Sequence, residues 1–140
     1  MDADEVARRC AERMYADDVA SQSLDIVVSD VAQGRATASM AVRTDMLNGH
    51  GICHGGYVFT LADTAFAFAC NTYDDVTVAA GADIAFLEPV GAGAQLVATA
   101  RERARRGRSG LYDVTVTAGD GTVVAEFRGR SHSLGRPLLA

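Results

Sequence analysis

The sequence predicts an α+β fold in which antiparallel strands wrap around one long, buried helix. The helix is indicated by Tyr57–Cys70, where eleven of 14 residues are apolar and are not confined to one stripe, the pattern of a helix buried on all sides. The strands are indicated by segments before and after it that alternate between apolar and polar residues and are separated by turn residues. A length of 140 residues with 49% hydrophobic content is enough for one core, so we expect a single domain covering residues 1–140.

The chain begins with a predicted N-terminal helical segment, residues 1–20. Apolar residues recur there at spacings of three and four, from Ala3 to Met14, with charged residues between them. Asp2 is placed to cap this helix, and Glu5 stands three residues later, as in a capping box.

A hairpin is predicted next, followed by a loop. Alternating apolar residues predict one strand around Leu24–Val28 and a second around Ala36–Val42, with a turn at Ala32-Gln33-Gly34 between them. The irregular segment Thr44–Cys53, which contains two glycines, then leads to the buried helix.

The remaining half of the chain is predicted to be mostly strands. Turn residues divide it, and the Gly119-Asp120-Gly121 sequence is a strong hairpin signal. The predicted strands are Val76–Leu87, Leu96–Ala100 with its arginine-rich continuation, Leu111–Thr117 and Val123–Phe127.

Composition and charge exclude several classes of function. The 13 basic residues are all arginine, and 18 acidic residues give a net charge of −5, which argues against nucleic-acid binding through a basic surface. The absence of lysine excludes Schiff-base chemistry and a P-loop lysine. No apolar run approaches the roughly 18 residues needed to span a membrane.

The cysteines indicate the cellular compartment, and the histidines indicate whether a metal site is expected. Cys10, Cys53 and Cys70 are odd in number and far apart, as expected of reduced thiols in a cytoplasmic protein, and the acidic N-terminus does not resemble a signal peptide. The three histidines have no repeated ligand spacing, so no metal site is predicted.

Asp63 is the first candidate catalytic residue, because it is the only charged residue in the apolar helix. Burying an unpaired carboxylate is unfavourable by several kcal/mol or raises its pKa, and perturbed carboxylates cluster at active sites. The alternative is a structural carboxylate that bonds to the backbone or to a threonine, or faces a wet subunit contact.

The second candidate is the His54-Gly55-Gly56 sequence at the start of this helix. Free N–H groups and the helix dipole at such a position favour developing negative charge, as in an oxyanion hole for acyl transfer. The alternative is that the two glycines only form a tight turn. Eight residues at 1.5 Å each separate Gly55 from Asp63 by about 12 Å along a helix, too far for one chain to serve one substrate with both. If both act, two chains must share each site.

Several motifs closely resemble the hot-dog-fold acyl-CoA thioesterases, in particular the subfamily of the phenylacetic acid degradation pathway. The resemblance covers nearly the whole chain after the first helix, and the most specific part is His-Gly-Gly followed by an acid on the helix. The matching segments are Asn48-Gly49-His50, Cys53-His54-Gly55-Gly56, Leu61–Ala67, Phe86-Leu87-Glu88-Pro89, Tyr112-Asp113 and Phe127–His132.

The resemblance implies a role for each matching site residue. Gly55 would donate its N–H to the thioester carbonyl, and Asp63 of the partner subunit would act as general base or nucleophile. Asn48 would help to place the water or the carbonyl, and His54 would lie beside the carbonyl with Gly56 in the substrate-binding loop. Some relatives hold the water with a Ser or Thr on the strand after the helix; here that stretch is Val78–Gly81, and Thr64 is the candidate substitute.

The resemblance also implies a hot-dog fold, dimers with shared active sites that commonly pair into tetramers, and no metal or redox cofactor, since coenzyme A is part of the substrate. We therefore expect a cytoplasmic thioesterase that hydrolyses aromatic acyl-CoAs such as phenylacetyl-CoA or its ring-hydroxylated forms. Two alternatives stay open: a hydratase or dehydratase of the same fold, and a non-catalytic acyl-CoA-binding module.

An arginine-rich segment, Arg101–Arg108, completes the set of candidates. Alternate residues of a strand share a face, so its odd-numbered arginines are predicted to project together. They fit either a solvent-exposed strand whose charges prevent pairing with another chain, or a site for the phosphates of coenzyme A. Arg128 and Arg130 are comparable candidates for the phosphate site.

Overall fold

A computed structural model describes all residues, 1–140, and shows one six-stranded antiparallel sheet packed around a long helix. The strands lie in the order β1-β2-β4-β5-β6-β3, so that β1 and β3 form the two edges. The helices are α1 (Ala3–Asp17), α2 (Val19–Ser23) and α3 (Gly55–Cys70); the strands are β1 (Val27–Ala32), β2 (Arg35–Ala41), β3 (Thr77–Phe86), β4 (Gln95–Arg106), β5 (Ser109–Ala118) and β6 (Val123–Ser133). The predicted α+β class is confirmed.

Helix α1 begins where the sequence indicates. The Asp2 side chain accepts a hydrogen bond from the Glu5 N–H at 2.8 Å, so the cap is present. The Glu5 carboxylate pairs with Arg9 at 3.3 Å. Ala7 and Cys10 are fully buried, which fixes the face that α1 turns toward the protein.

The first strand begins later than predicted, because a short helix precedes it. Asp18 caps α2 by accepting from the Ser21 N–H at 2.9 Å and from its hydroxyl at 2.7 Å. Leu24 terminates α2, so the alternation of Leu24, Ile26 and Val28 does not describe one strand, and β1 starts at Val27. Local capping by Asp18 therefore outweighs the alternating pattern here.

Helix α3 is buried against the sheet as its composition predicts. Nine of its 16 residues are buried, and Phe66 packs against Tyr112 and Phe127, with ring centroids 5.7 and 5.8 Å apart. A Cβ atom at Gly129 would lie 2.7 Å from the Phe66 ring, so a glycine on β6 lets the helix approach the sheet closely.

The edge strand β3 leaves much apolar surface uncovered. It pairs only with β6, and Val78, Phe86 and the adjoining Leu87 are 44%, 56% and 55% exposed. No helix of the chain is both long and apolar enough to cross a membrane.

Candidate active site

The start of α3 presents one free backbone donor. The His54 side chain caps the helix by accepting, through Nδ1, a hydrogen bond from the Gly56 N–H at 3.0 Å. The Gly55 N–H has no hydrogen-bond partner within the chain. Since the positive end of the helix dipole lies here, this N–H is suited to bind an oxygen that carries developing negative charge.

The loop before α3 is held by backbone hydrogen bonds. The Cys53 N–H donates to the Val90 carbonyl at 2.8 Å, and the His54 N–H donates to the Met46 carbonyl at 2.8 Å. These bonds tie the loop to the β3–β4 connection on one side and to a 3-10 turn, Thr44–Met46, on the other. The Gly55 N–H is therefore fixed in position before any substrate arrives, which is the condition for an effective oxyanion site.

Asn48 is fixed in the same loop. Its Oδ1 accepts from the His50 N–H at 2.9 Å, and its own N–H donates to the Ile52 carbonyl at 2.8 Å. Its side-chain Nδ2 makes no hydrogen bond within the chain and is left free to donate. The structure thus places Asn48 and Gly55 at the same pocket, and their roles toward a substrate stay predictions.

A pocket of about 440 Å³ joins these two residues. Most of its lining is apolar, and its only charged residue is Glu88. The pocket is lined by Asn48, Ile52, Cys53, Gly55, Val58, Phe86, Leu87, Glu88, Pro89, Val90 and Val124. It therefore combines an apolar surface with two free N–H donors, the combination expected of a site for an apolar acyl group and its carbonyl.

The Phe86 ring lies directly over the start of the helix. A Cβ atom at Gly55 would be 3.0 Å from the ring, so the absence of a side chain at Gly55 is what allows this contact. More than half of Phe86 is exposed in the monomer.

Asp63 lies on the one face of α3 that the protein's own sheet does not cover. Thr60 and Ala67 share this half-buried face with it, at spacings of three and four residues, and Gly56 extends the face toward the helix start. The Asp63 carboxylate makes no ion pair and no hydrogen bond within the chain, and partial burial raises its pKa above the ordinary value. It is a desolvated and unpaired acid, as its place in the sequence suggests.

Gly55 and Asp63 belong to one unbroken helix. Their separation along the axis is therefore about 12 Å, as the spacing predicts. Asp63 does not line the pocket that contains Gly55 and Asn48.

Thr64 and Gly56 are occupied within the monomer. The Thr64 hydroxyl donates to the Thr60 carbonyl at 2.8 Å and lies 3.4 Å from the Ser21 hydroxyl in a buried position. The Gly56 N–H is taken by His54. Neither residue lines the pocket, and their predicted contacts with substrate stay predictions.

Residues at the end of β3 and in the β3–β4 connection were not predicted as site residues. Phe86, Leu87, Glu88, Pro89 and Val90 supply almost half of the pocket lining. Their segment was recognised as a family motif, but the sequence contains no local signal that this turn lies beside the start of α3.

The arginines do not form one surface. Arg103 and Arg128 both pair with Asp113, at 3.5 and 2.7 Å, whereas the Arg105 guanidinium lies 3.8 Å over the Tyr73 ring. The charges of Arg101 and Arg103 both lower the pKa of Asp113, but a bulge between Glu102 and Ala104 breaks the alternation of β4, so the prediction that the odd-numbered arginines project together is wrong at Arg105.

The cysteines and histidines form no cluster. All three cysteines are free and buried, and burial raises the pKa of the Cys53 thiol, which lines the pocket. No group of three or more His, Cys, Asp or Glu side chains could hold a metal ion.

Comparison with known proteins gives a consistent result. The family model described as "Thioesterase superfamily" matches residues 50–125. The chain is 43% identical over 125 residues to the acyl-coenzyme A thioesterase PaaI of Escherichia coli K12, covering 89% of each chain.

Solved structures give the same picture. The structure of the E. coli PaaI protein, from the phenylacetic acid degradation operon, superposes with a TM-score of 0.95 at 40% identity over 97% of this chain and 99% of that one. A mutant phenylacetic acid degradation protein PaaI from Thermus thermophilus superposes with a TM-score of 0.78 at 38% identity, over 81% and 97% of the two chains.

Proposed function

This chain belongs to the thioesterase superfamily and has its hot-dog fold, and from that premise we propose that it hydrolyses aromatic acyl-CoA thioesters to the free acid and coenzyme A. Phenylacetyl-CoA and its ring-hydroxylated forms are the proposed substrates. The observation that carries the proposal is the unpartnered Gly55 N–H at the start of α3, which lines an apolar pocket together with Asn48.

Polarisation of the thioester is the proposed role of the helix start. The carbonyl oxygen of the substrate accepts a hydrogen bond from the Gly55 N–H, with the helix dipole adding to the stabilisation of the developing charge. The free Nδ2 of Asn48 binds the carbonyl oxygen or the attacking water, while His54 keeps the turn in place through its bond to Gly56.

Attack on the carbonyl carbon is the proposed role of Asp63 from a second subunit. As general base, its carboxylate takes a proton from water, which adds to the carbon; as nucleophile, it adds directly and water later hydrolyses the anhydride. In both routes the C–S bond breaks; the departing thiolate takes its proton from protonated Asp63 in the first route and from solvent water in the second, so coenzyme A leaves as the thiol. Two features support this role: its carboxylate has no partner within the chain, and its raised pKa makes it a better proton acceptor than an ordinary aspartate.

A dimer that shares its sites follows from the same geometry. Gly55 and Asp63 of one chain are too far apart to act on one carbonyl, so each site needs both subunits. The edge of β3 is the proposed contact, because an unpaired strand with exposed apolar residues is a template for pairing with another chain. Assembly of dimers into tetramers stays a prediction.

The proposed chemistry uses a backbone N–H, a carboxylate and water, and needs no metal ion or cofactor. Coenzyme A enters only as part of the substrate. The three free thiols agree with the cytoplasmic location that we propose.

A thiol-release assay over a panel of acyl-CoAs tests the function. We expect the highest kcat/KM with phenylacetyl-CoA and its hydroxylated forms, and lower values with acetyl-CoA and palmitoyl-CoA. Thiol release that is faster for a short or long aliphatic group than for every aromatic group would refute the aromatic preference. Binding of acyl-CoA without any release of thiol would refute hydrolysis.

A further inference from the structure

We infer that Glu88 is a specificity-determining residue that disfavours acyl groups carrying a carboxylate at their far end. This inference rests on the proposed function, because it concerns the acyl group that enters the same pocket. It adds a residue whose expected effect is on the choice of substrate and not on the chemical step.

Glu88 is the only charged residue that lines the pocket. Its N–H donates to the Val124 carbonyl at 3.2 Å, and Pro89 follows it, so its backbone is held beside the first residues of β6. The side chain makes no hydrogen bond and no ion pair within the chain, and none of the other lining residues is a cation. Glu88 is exposed, and its carboxylate adds to a mostly apolar pocket a negative charge that no cation of the chain compensates.

The negative charge of Glu88 indicates whether the acyl group or the nucleotide of the substrate lies near it. The nucleotide arm of coenzyme A carries several negative charges on its phosphates, and a carboxylate beside it would weaken binding. The neighbours of Glu88 in the pocket, Leu87, Pro89 and Val90, are apolar and match an acyl group better than a nucleotide. The acyl arm is therefore the part of the substrate that passes Glu88.

A carboxylate at this place discriminates between acyl groups. A neutral acyl group covers the apolar lining, and a hydroxyl at its end can donate a hydrogen bond to Glu88. A carboxylated acyl group of the same size brings a second negative charge to a lining in which this chain supplies no cation to balance it. Rejection of such groups, and not catalysis, is the expected effect of Glu88.

The test compares two matched substrate pairs: 4-carboxyphenylacetyl-CoA with 4-methylphenylacetyl-CoA, and adipoyl-CoA with hexanoyl-CoA. For the wild type we expect kcat/KM to be at least about tenfold lower for the carboxylated member of each pair. In Glu88→Gln this ratio should fall to within about threefold, and in Glu88→Arg it should reverse. The change of the ratio in Glu88→Gln should come mainly from a higher kcat/KM for the carboxylated substrates.

The matched control is Glu12→Gln, which changes the net charge equally at an exposed position of α1 outside the pocket. It should leave both ratios unchanged. A ratio that stays the same in Glu88→Gln and Glu88→Arg while hydrolysis continues overturns the inference. An equal loss of activity on all four substrates also overturns it, because that would indicate a catalytic or coenzyme-binding role. Failure of the wild type to hydrolyse any acyl-CoA would instead refute the proposed function.

Discussion

The Asp63 carboxyl group lies in an environment that favours its neutral form. Its pKa in the folded chain is raised by burial, so the folded state binds a proton more tightly than the unfolded state does. The stabilising contribution of this group is therefore present below the unfolded pKa and is lost as pH rises through the folded pKa. A residue that lowers stability at working pH is expected where function requires it.

The variant Asp63→Asn separates the effect of this carboxylate on catalysis from its effect on stability. We expect thioesterase kcat to fall by about 10²–10⁴-fold, since the proton acceptor is removed. The melting temperature at pH 7 should be equal to or higher than that of the wild type, and this gain should shrink as pH falls below the ordinary aspartate range. Steady-state thiol release and calorimetry at several pH values measure both. Near-wild-type turnover in this variant would exclude Asp63 from the chemistry.

The half-buried acid Glu102 on β4 has a different environment. Glu102 accepts hydrogen bonds from the Tyr73 and Tyr112 hydroxyls at 2.6 and 3.0 Å, and burial together with this carboxylate raises the pKa of Tyr73 to about 12. A carboxylate with two donors is a satisfied structural group. The contrast with Asp63, which has no donor within the chain, distinguishes the structural acid from the candidate catalytic one.

At the scale of the element, α3 does three things at once. Its apolar faces fill the core, its first residue places the free Gly55 N–H at the pocket, and its uncovered stripe carries Asp63. The cap at its start determines whether the Gly55 N–H stays in place, because His54 accepts the next N–H along the helix. We therefore assign His54 a positioning role.

The capping role of His54 can be tested with His54→Ala and His54→Asn. Loss of the cap in His54→Ala should lower the free energy of unfolding by about 1 kcal/mol, whereas Asn is itself a strong capping residue and should restore most of it. If His54 acts through the cap, kcat should be lowered in His54→Ala and recovered in His54→Asn. Equal loss of kcat in both variants, with stability restored in His54→Asn, would show that the imidazole itself contacts the substrate.

At the scale of the whole molecule, the two halves of the proposed site lie in one helix but cannot meet within one chain. The exposed apolar residues at the edge of β3 and the uncovered stripe of α3 are the surfaces that a second copy would bury. Sites shared between two subunits predict an effect on activity that sites contained in one chain cannot produce.

That consequence is complementation between two inactive variants. Gly55→Val fills the space against Phe86 beside the pocket donor, and Asp63→Asn removes the acid, so each alone should be nearly inactive. After subunit exchange, half of randomly formed dimers are mixed, and one of the two sites in each mixed dimer is intact. We expect recovery of about a quarter of wild-type activity. No recovery, despite mass-spectrometric proof of mixed dimers, would place both residues of each site in one chain.

Sequence alone determined the elements whose cause is local. The apolar run Tyr57–Cys70 predicted α3 because a helix apolar on all sides must be buried, and the Asp2 cap and the glycine turns were readable for the same kind of reason. The prediction for β1 failed at Leu24, where Asp18 caps an unexpected helix, and the prediction of a shared arginine face failed at a bulge that has no sequence signature.

The candidate site also has one part that the sequence predicted and another that only the tertiary structure shows. Gly55 and Asp63 were identified from the sequence because a glycine pair at a helix start and a lone acid in an apolar helix are unusual locally, whereas Asn48 was identified only through the family motif. The pocket that contains Gly55 and Asn48 depends on the tertiary structure, since Phe86, Glu88 and Val124 meet the start of α3 only after β3 and β6 have paired. Periodicity and spacing in the sequence show which residues of a segment must be buried or must lie close together. The packing of the sheet around the helix decides which distant residues they contact.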